Sequence, residues 1–92
     1  MLNRAIQRNL ISKAHHLHPV VMIGQKGITE NVHTEIEAAL LAHELIKIRV
    51  IAPTRETRVE WVKELADSHK AALIQQVGHI AVFFRANPEK RK

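Results

Sequence analysis

The apolar run Val20-Val21-Met22-Ile23 passes directly into Gly24-Gln25-Lys26-Gly27 and then into a helix-start signal, Thr29-Glu30. A short, mostly β-branched run followed by a turn and a helix opens a strand-loop-helix unit, and a chain that continues into another strand must cross over to a parallel neighbour. The same segment has chemistry. Glycines let a backbone approach a ligand closely, and the free N–H groups and dipole at a helix start favour an anion. Lys26 adds a full charge between the two glycines.

Apolar spacing around this unit predicts the remaining elements. Leu2, Ile6, Leu10 and Leu17, with Ala14, recur three and four apart and predict an amphipathic helix over residues 3–16, ended by His18-Pro19. Both parities of Val20 to Ile23 are apolar, which predicts a strand buried on both faces. Thr29 is the expected N-cap of a second helix with the stripe Val32, Ile36, Ala39, Leu40, ending near His43. His43 is expected in or beside the core. Leu45 to Ile51 alternates, with Ile46, Ile48 and Val50 on one face and Lys47 and Arg49 on the other. Pro53-Thr54 starts a third helix in which Val59, Val62, Leu65 and Ala66 point inward and Trp61 marks an exposed edge of the stripe. Ala72 to Val77 and Ile80 to Phe84, broken at Gly78, predict a hairpin. Asn87-Pro88 and the basic tail are expected to fray.

The fold class is therefore α/β, a two-layer α-β-α-β-α-β-β domain with a four-stranded mixed sheet. The first three strands are expected to be parallel and the last antiparallel. At 92 residues the chain makes one domain, residues 1–88, followed by the tail Glu89-Lys90-Arg91-Lys92.

Composition excludes several classes of function. Hydrophobic residues at 46% and charged residues at 25% fit a folded globular chain. The absence of cysteine removes disulfides, thiolate metal sites and cysteine nucleophiles. No apolar run approaches the ~20 residues of a membrane-spanning helix and no secretory pattern appears, so a soluble, cytoplasmic protein without a membrane partner is expected. The net charge of +5 points to polyanions, although the tail contributes two of those charges. No acidic residue precedes Glu30, whereas Arg4, Arg8, Lys13 and Lys26 all do.

Among seven histidines, His15-His16-x-His18 straddles a helix end and does not put three imidazoles on one face, so no metal site or cofactor is expected. Neither Ser12 nor Ser68 sits in a nucleophile elbow, and Glu35 and Glu37, two apart on a helix, do not face each other. No catalytic residue is assigned, and the chain is read as a non-enzyme. Topology instead assembles an anion site: helices that follow parallel strands begin at one edge of the sheet. There the glycine loop should neighbour Pro53-Thr54-Arg55-Glu56-Thr57-Arg58, so that Lys26, Arg55 and Arg58 line one rim.

These motifs together carry a resemblance. The stretch from Ala14 through His18-Pro19-Val20-Val21-Met22-Ile23-Gly24-Gln25-Lys26-Gly27 to Thr29 resembles the opening of the CRM domain, the chloroplast RNA splicing and ribosome maturation module. So do Glu35-Ile36-x-x-Ala39-Leu40 and His43-Glu44-Leu45-Ile46-Lys47-Ile48, while Gln75 to Arg85 resembles its closing hairpin. A free-standing domain of this length is similar to bacterial YhbY-type proteins. The resemblance implies a fold like the C-terminal domain of translation initiation factor three, RNA binding, and association with precursor large ribosomal subunits during assembly. It places the family's GxxG loop on Gly24, Gln25, Lys26 and Gly27, its strand start on Leu45, Ile46 and Lys47, and its basic helix on Arg4, Arg8 and Lys13. Lys70 stands where the family usually has glycine, which bears on the third helix's C-cap.

The expected function is thus a monomeric RNA-binding assembly factor for precursor large-subunit ribosomal RNA. The GxxG loop would clamp the sugar-phosphate backbone, and Arg4, Arg8, Lys13, Lys47, Arg49, Arg55 and Arg58 would extend the electrostatic track. With 3% aromatics, base stacking is not its main grip. The alternatives are a general RNA chaperone, a splicing-type RNA-binding factor, or a protein adaptor using the Trp61 edge and the second helix.

Overall fold

The computed structural model describes residues 3–91, and side chains for residues 3–89. Helix α1 spans Arg4–Ala14, capped by Asn3, whose Oδ1 accepts the Ile6 N–H at 2.8 Å. It ends at His15, short of Leu17, which stays 37% exposed. Strand β1 is Val21–Ile23, α2 Glu30–His43, β2 Leu45–Val50, α3 Arg55–His69, β3 Ala72–Val77 and β4 Ile80–Phe84. Thr29 and Thr54 cap α2 and α3 through the N–H groups of Val32 and Thr57.

The sheet order is β1-β2-β4-β3. β1 and β2 pair in parallel, whereas β4 runs antiparallel to both β2 and β3. The first three strands therefore share one direction, as the helical connections require, and β4 fills the space between β2 and β3.

Alternation along β2 and β4 divides the apolar residues between two faces. Ile46, Ile48, Val50, Ala81 and Phe83 join Val21, Ile23 and the inner stripes of α2 and α3 in the main core. Full burial of each large aliphatic side chain there contributes about 1.5–3 kcal/mol. This sheet and its two helices form the expected two-layer body. On the reverse face Val82 and Ile74 pack with Leu10 and Ala14 of α1, with Leu45 and Phe84 alongside, and the Gln7 Nε2–H donates to the Ile74 carbonyl at 2.9 Å.

Because α1 reaches β2 and β3 but leaves β1 uncovered, β1 is buried on one face only. Met22 remains 64% exposed and Val20, outside the strand, 52%. His43 and Val59 are likewise exposed, not inward. His43 is the last residue of α2, beyond the Leu40 turn that meets the sheet, and Val59 lies on the flank of α3 away from the buried line Val62, Leu65, His69. Asn87 is held rather than frayed: its N–H donates to Glu44 Oε2 and its side chain to the Leu41 carbonyl, leading into a 3-10 turn over Pro88–Arg91.

One polar cluster ties three elements together where sequence spacing gave no hint. The Arg85 guanidinium donates to both oxygens of Glu37, at 2.9 and 2.7 Å, and to the His69 carbonyl at the end of α3 at 2.9 Å. His69, itself buried, donates from Nδ1 to Glu37 Oε1 at 2.9 Å, and in the neutral ring its Nε2 accepts from His33 Nδ1–H at 2.9 Å. Lys70 closes α3 in the left-handed conformation with φ 52°, serving as the C-cap without a glycine.

Hydrogen bonds from Arg85 and then His69 hold the Glu37 carboxyl down to about 2, from a usual 4.5. The unfolded chain binds that proton more tightly, so Glu37's contribution to stability is in place above pH 4.5 and declines as pH falls toward 2. The side chain keeps 43% exposure, which screens the pair. Glu37→Gln should cost about 1 kcal/mol at pH 7 and flatten the acid limb of a stability-versus-pH curve measured by urea denaturation. An acid limb identical to the parent's would remove Glu37 from the linkage.

Candidate nucleic-acid interface

Three co-directional strands bring three loops to one edge of the sheet: residues 24–27 after β1, residues 51–54 after β2, and the Gly78-His79 turn after β3. Backbone bonds join them, Ile51 N–H to the Ile23 carbonyl at 2.8 Å and Val50 N–H to the His79 carbonyl at 2.7 Å. The glycine loop and the start of α3 are therefore neighbours, as the topology predicted.

The loop is a tight turn in which the Gly27 N–H donates to the Gly24 carbonyl at 3.0 Å, leaving Gln25 and Lys26 exposed at its tip. Its two glycines differ. Gly27 has φ +71°, and a Cβ there would meet Trp61 Cζ2 at 3.1 Å. The fold itself demands glycine at 27. Gly24 has no positive φ, and a Cβ would find nothing within 4 Å. The fold makes no such demand at 24. Among the described residues, the N–H groups of Gln25 and Lys26 meet no protein acceptor.

Trp61, not an arginine, is the part of α3 that lies against the loop. It is half-buried and packs on the main core. Arg55 and Arg58 lie toward the hairpin turn, where with Val59, Gln76 and Gly78 they line a cleft of about 310 Å³. Arg55 is exposed. Arg58 is half-buried, donating from Nη1 to His79 Nδ1 at 3.3 Å, while its buried Nε meets no acceptor.

The other basic residues do not gather at this edge. Arg49 pairs with Met22 on the uncovered face, about 7 Å of strand from the loop level. Lys47 is level with Val20, about 13 Å away on the same count. Arg4 and Arg8 share one flank of α1, but Lys13, five residues beyond Arg8, is turned about 140° around the helix. It faces a second cleft with Lys47.

The family model for the CRS1/YhbY (CRM) domain matches residues 2–85. The chain belongs to that family. A Haemophilus influenzae protein named "RNA-binding protein" is 47% identical over 78 residues, 85% of this chain and 79% of that one. The Bacillus subtilis protein YqeI is 33% identical over 92 residues, 100% of this chain and 96% of its own length. The solution structure of SAV1595 from Staphylococcus aureus superposes with a TM-score of 0.81 at 32% identity, covering 95% of this chain and 91% of that one.

Within this CRM domain the sequence located the GxxG loop and its neighbouring helix start but missed the Trp61 ring beneath Gly27 and the His79 contact to Arg58. A tryptophan seven residues after the Thr54 cap was a usable signal, since it falls two turns along α3, within reach of an adjacent loop. Among the described residues no group of three or more His, Cys, Asp or Glu could hold a metal, and no helix is long and apolar enough to cross a membrane.

The contrast between the glycines is directly measurable. Gly27→Ala should lower stability by about 1–2 kcal/mol through left-handed strain and crowding of the ring. Gly24→Ala should change it by less than about 0.5 kcal/mol. Equal losses in thermal or urea melts would show that both glycines serve the turn alone.

Proposed function

We propose that this CRM domain binds RNA by its sugar-phosphate backbone, with the Gly24–Gly27 loop as the clamp. The observation that carries the reading is Gly24. Nothing in the fold requires a bare backbone there, whereas a ligand pressed against the loop would. Unpaired N–H groups at Gln25 and Lys26 supply donors, Lys26 supplies charge, and the exposed Arg55 adds a cation toward the hairpin turn, with Arg49 farther along the uncovered face. The Haemophilus influenzae relative's name supports the same ligand class.

We further propose precursor large-subunit ribosomal RNA as the target and assembly as the role. A monomer acting in the cytoplasm would hold RNA segments apart while they fold. Binding through backbone contacts suits such a task, because it follows shape and charge rather than base sequence.

Lys26→Glu should weaken binding of a structured ribosomal RNA fragment at least tenfold and lower the slope of log affinity against log salt by about one, without moving the melting temperature. Gly24→Ala should weaken binding while leaving stability in place. Parent-like affinity for both at low salt would eliminate the clamp. Sedimentation of cell extract tests the target: co-migration with large-subunit precursors is expected, and an even spread over all RNA would make the protein a general chaperone.

A further inference from the structure

At the end of the sheet opposite the glycine loop lies a cleft of about 970 Å³, between α1 and the start of β2. Ile6, Leu10, Leu17, Val20, Leu45 and Phe84 supply its apolar lining. Ile6, Leu17 and Val20 are 44%, 37% and 52% exposed, a cluster of aliphatic surface with no protein cover. Lys13 of α1 and Lys47 of β2 also line it, as do His18 and His43. Glu44, the acid among the lining residues, accepts the Asn87 N–H.

We infer that this cleft is a second RNA contact, one that takes a single unstacked nucleotide. The inference rests on the RNA-binding reading of the loop edge and extends it to the other end of the molecule. Charge complementarity selects the occupant: two lysines in the lining of an otherwise largely apolar cleft suit an anionic linker that carries a flat, weakly polar ring. The volume lies at the upper end of the ~300–1,000 Å³ typical of small-molecule sites, so base, sugar and phosphate fit together. Splayed-out bases stack on imidazole as well as on Phe, Tyr and Trp, and the exposed His18 and His43 among the lining residues offer such planes. The Asn9 amide in the wall can both donate to and accept from a base edge.

This arrangement gives Lys13 and Lys47 a use that the glycine loop cannot, since Lys47 lies about 13 Å along the strands from it and Lys13 shares the cleft with Lys47. An RNA clamped at the loop edge would run over the uncovered face past Arg49 and Met22 and place a base beside Val20. Backbone is held at one end and a base is sampled at the other.

The test is an NMR titration of the full chain with adenosine monophosphate, with inorganic phosphate as a control. Adenosine monophosphate should shift the amides of Leu17, His18, Val20 and Leu45 saturably, and phosphate should not. Val20→Glu, at a half-exposed position, should abolish those shifts, keep the melting temperature, and weaken a single-stranded 12-residue RNA about tenfold with the loop intact. Unmoved groove amides, the same shifts with phosphate alone, or a Val20→Glu variant that responds like the parent would overturn the inference. So would shifts from an acidic, leucine-bearing peptide where the nucleotide gives none, which would make the cleft a protein-docking surface. If the chain bound no RNA yet still took the nucleotide, the loop reading would fall and the groove would stand.

Discussion

Strand β2 is the constraint on which the rest depends. It pairs with β1 in parallel, Val21 against Ile48, and with β4 in antiparallel, Leu45 against Phe84. Each of its residues has an assigned face: Ile46, Ile48 and Val50 go to the main core, and Leu45, Lys47 and Arg49 to the reverse face, where Leu45 packs with α1, Lys47 lines the cleft beside it and Arg49 is exposed beside β1. A slip of one residue would exchange those sets, putting two cations in the core and three aliphatics in water, at a cost far above the few kcal/mol that hold a domain together. Register is thus fixed by β2's own alternation, and register sets which loops meet at the edge.

Both ends of this sheet are tied by contacts that sequence periodicity does not show. At the loop end, the Trp61 ring lies beneath Gly27 and couples the turn to α3. At the other, Arg85 bridges Glu37 of α2 and the last carbonyl of α3, just past the end of β4. Together they tie α3 to the loop that leads into α2 and, at its last turn, to the middle of α2. A loop on such a frame would meet the proposed RNA ligand already ordered, so little conformational entropy would be lost on binding.

The parts of this molecule that were legible in the sequence are those governed by local rules. The caps Thr29 and Thr54, the alternation of Leu45 to Val50 and the break at Gly78 each declare themselves within a few residues. Three co-directional strands followed from helical connections, and with them the meeting of the glycine loop and the start of α3. Exposure failed where it depended on the reach of a distant element. Val20 and Met22 look like core by composition, and only the shortfall of α1, which stops at Ala14, leaves them in solvent. Glu37 and Arg85 are 48 residues apart, and neither has a local signature of pairing. The candidate site was half legible for the same reason: the loop is contiguous in sequence, whereas Lys13 and Lys47 share a cleft only because of the path taken by α1.

Helix dipoles carry less of the proposed RNA contact than the topology first implies. The first turn of α2 contains Glu30 and that of α3 contains Glu56, and each carboxylate offsets its own helix's positive end. Each threonine cap also takes up one of the free N–H groups. What remains uncompensated at this edge is the loop itself, with two unpaired amides and Lys26, together with the exposed Arg55. A phosphate approaching α2 or α3 along its axis would meet a glutamate in the first turn, whereas one approaching over Gly24 meets bare backbone. In the proposed contact, the direction of approach would be set by where side chains are absent, and Gly24, which the fold does not require to be glycine, would mark it.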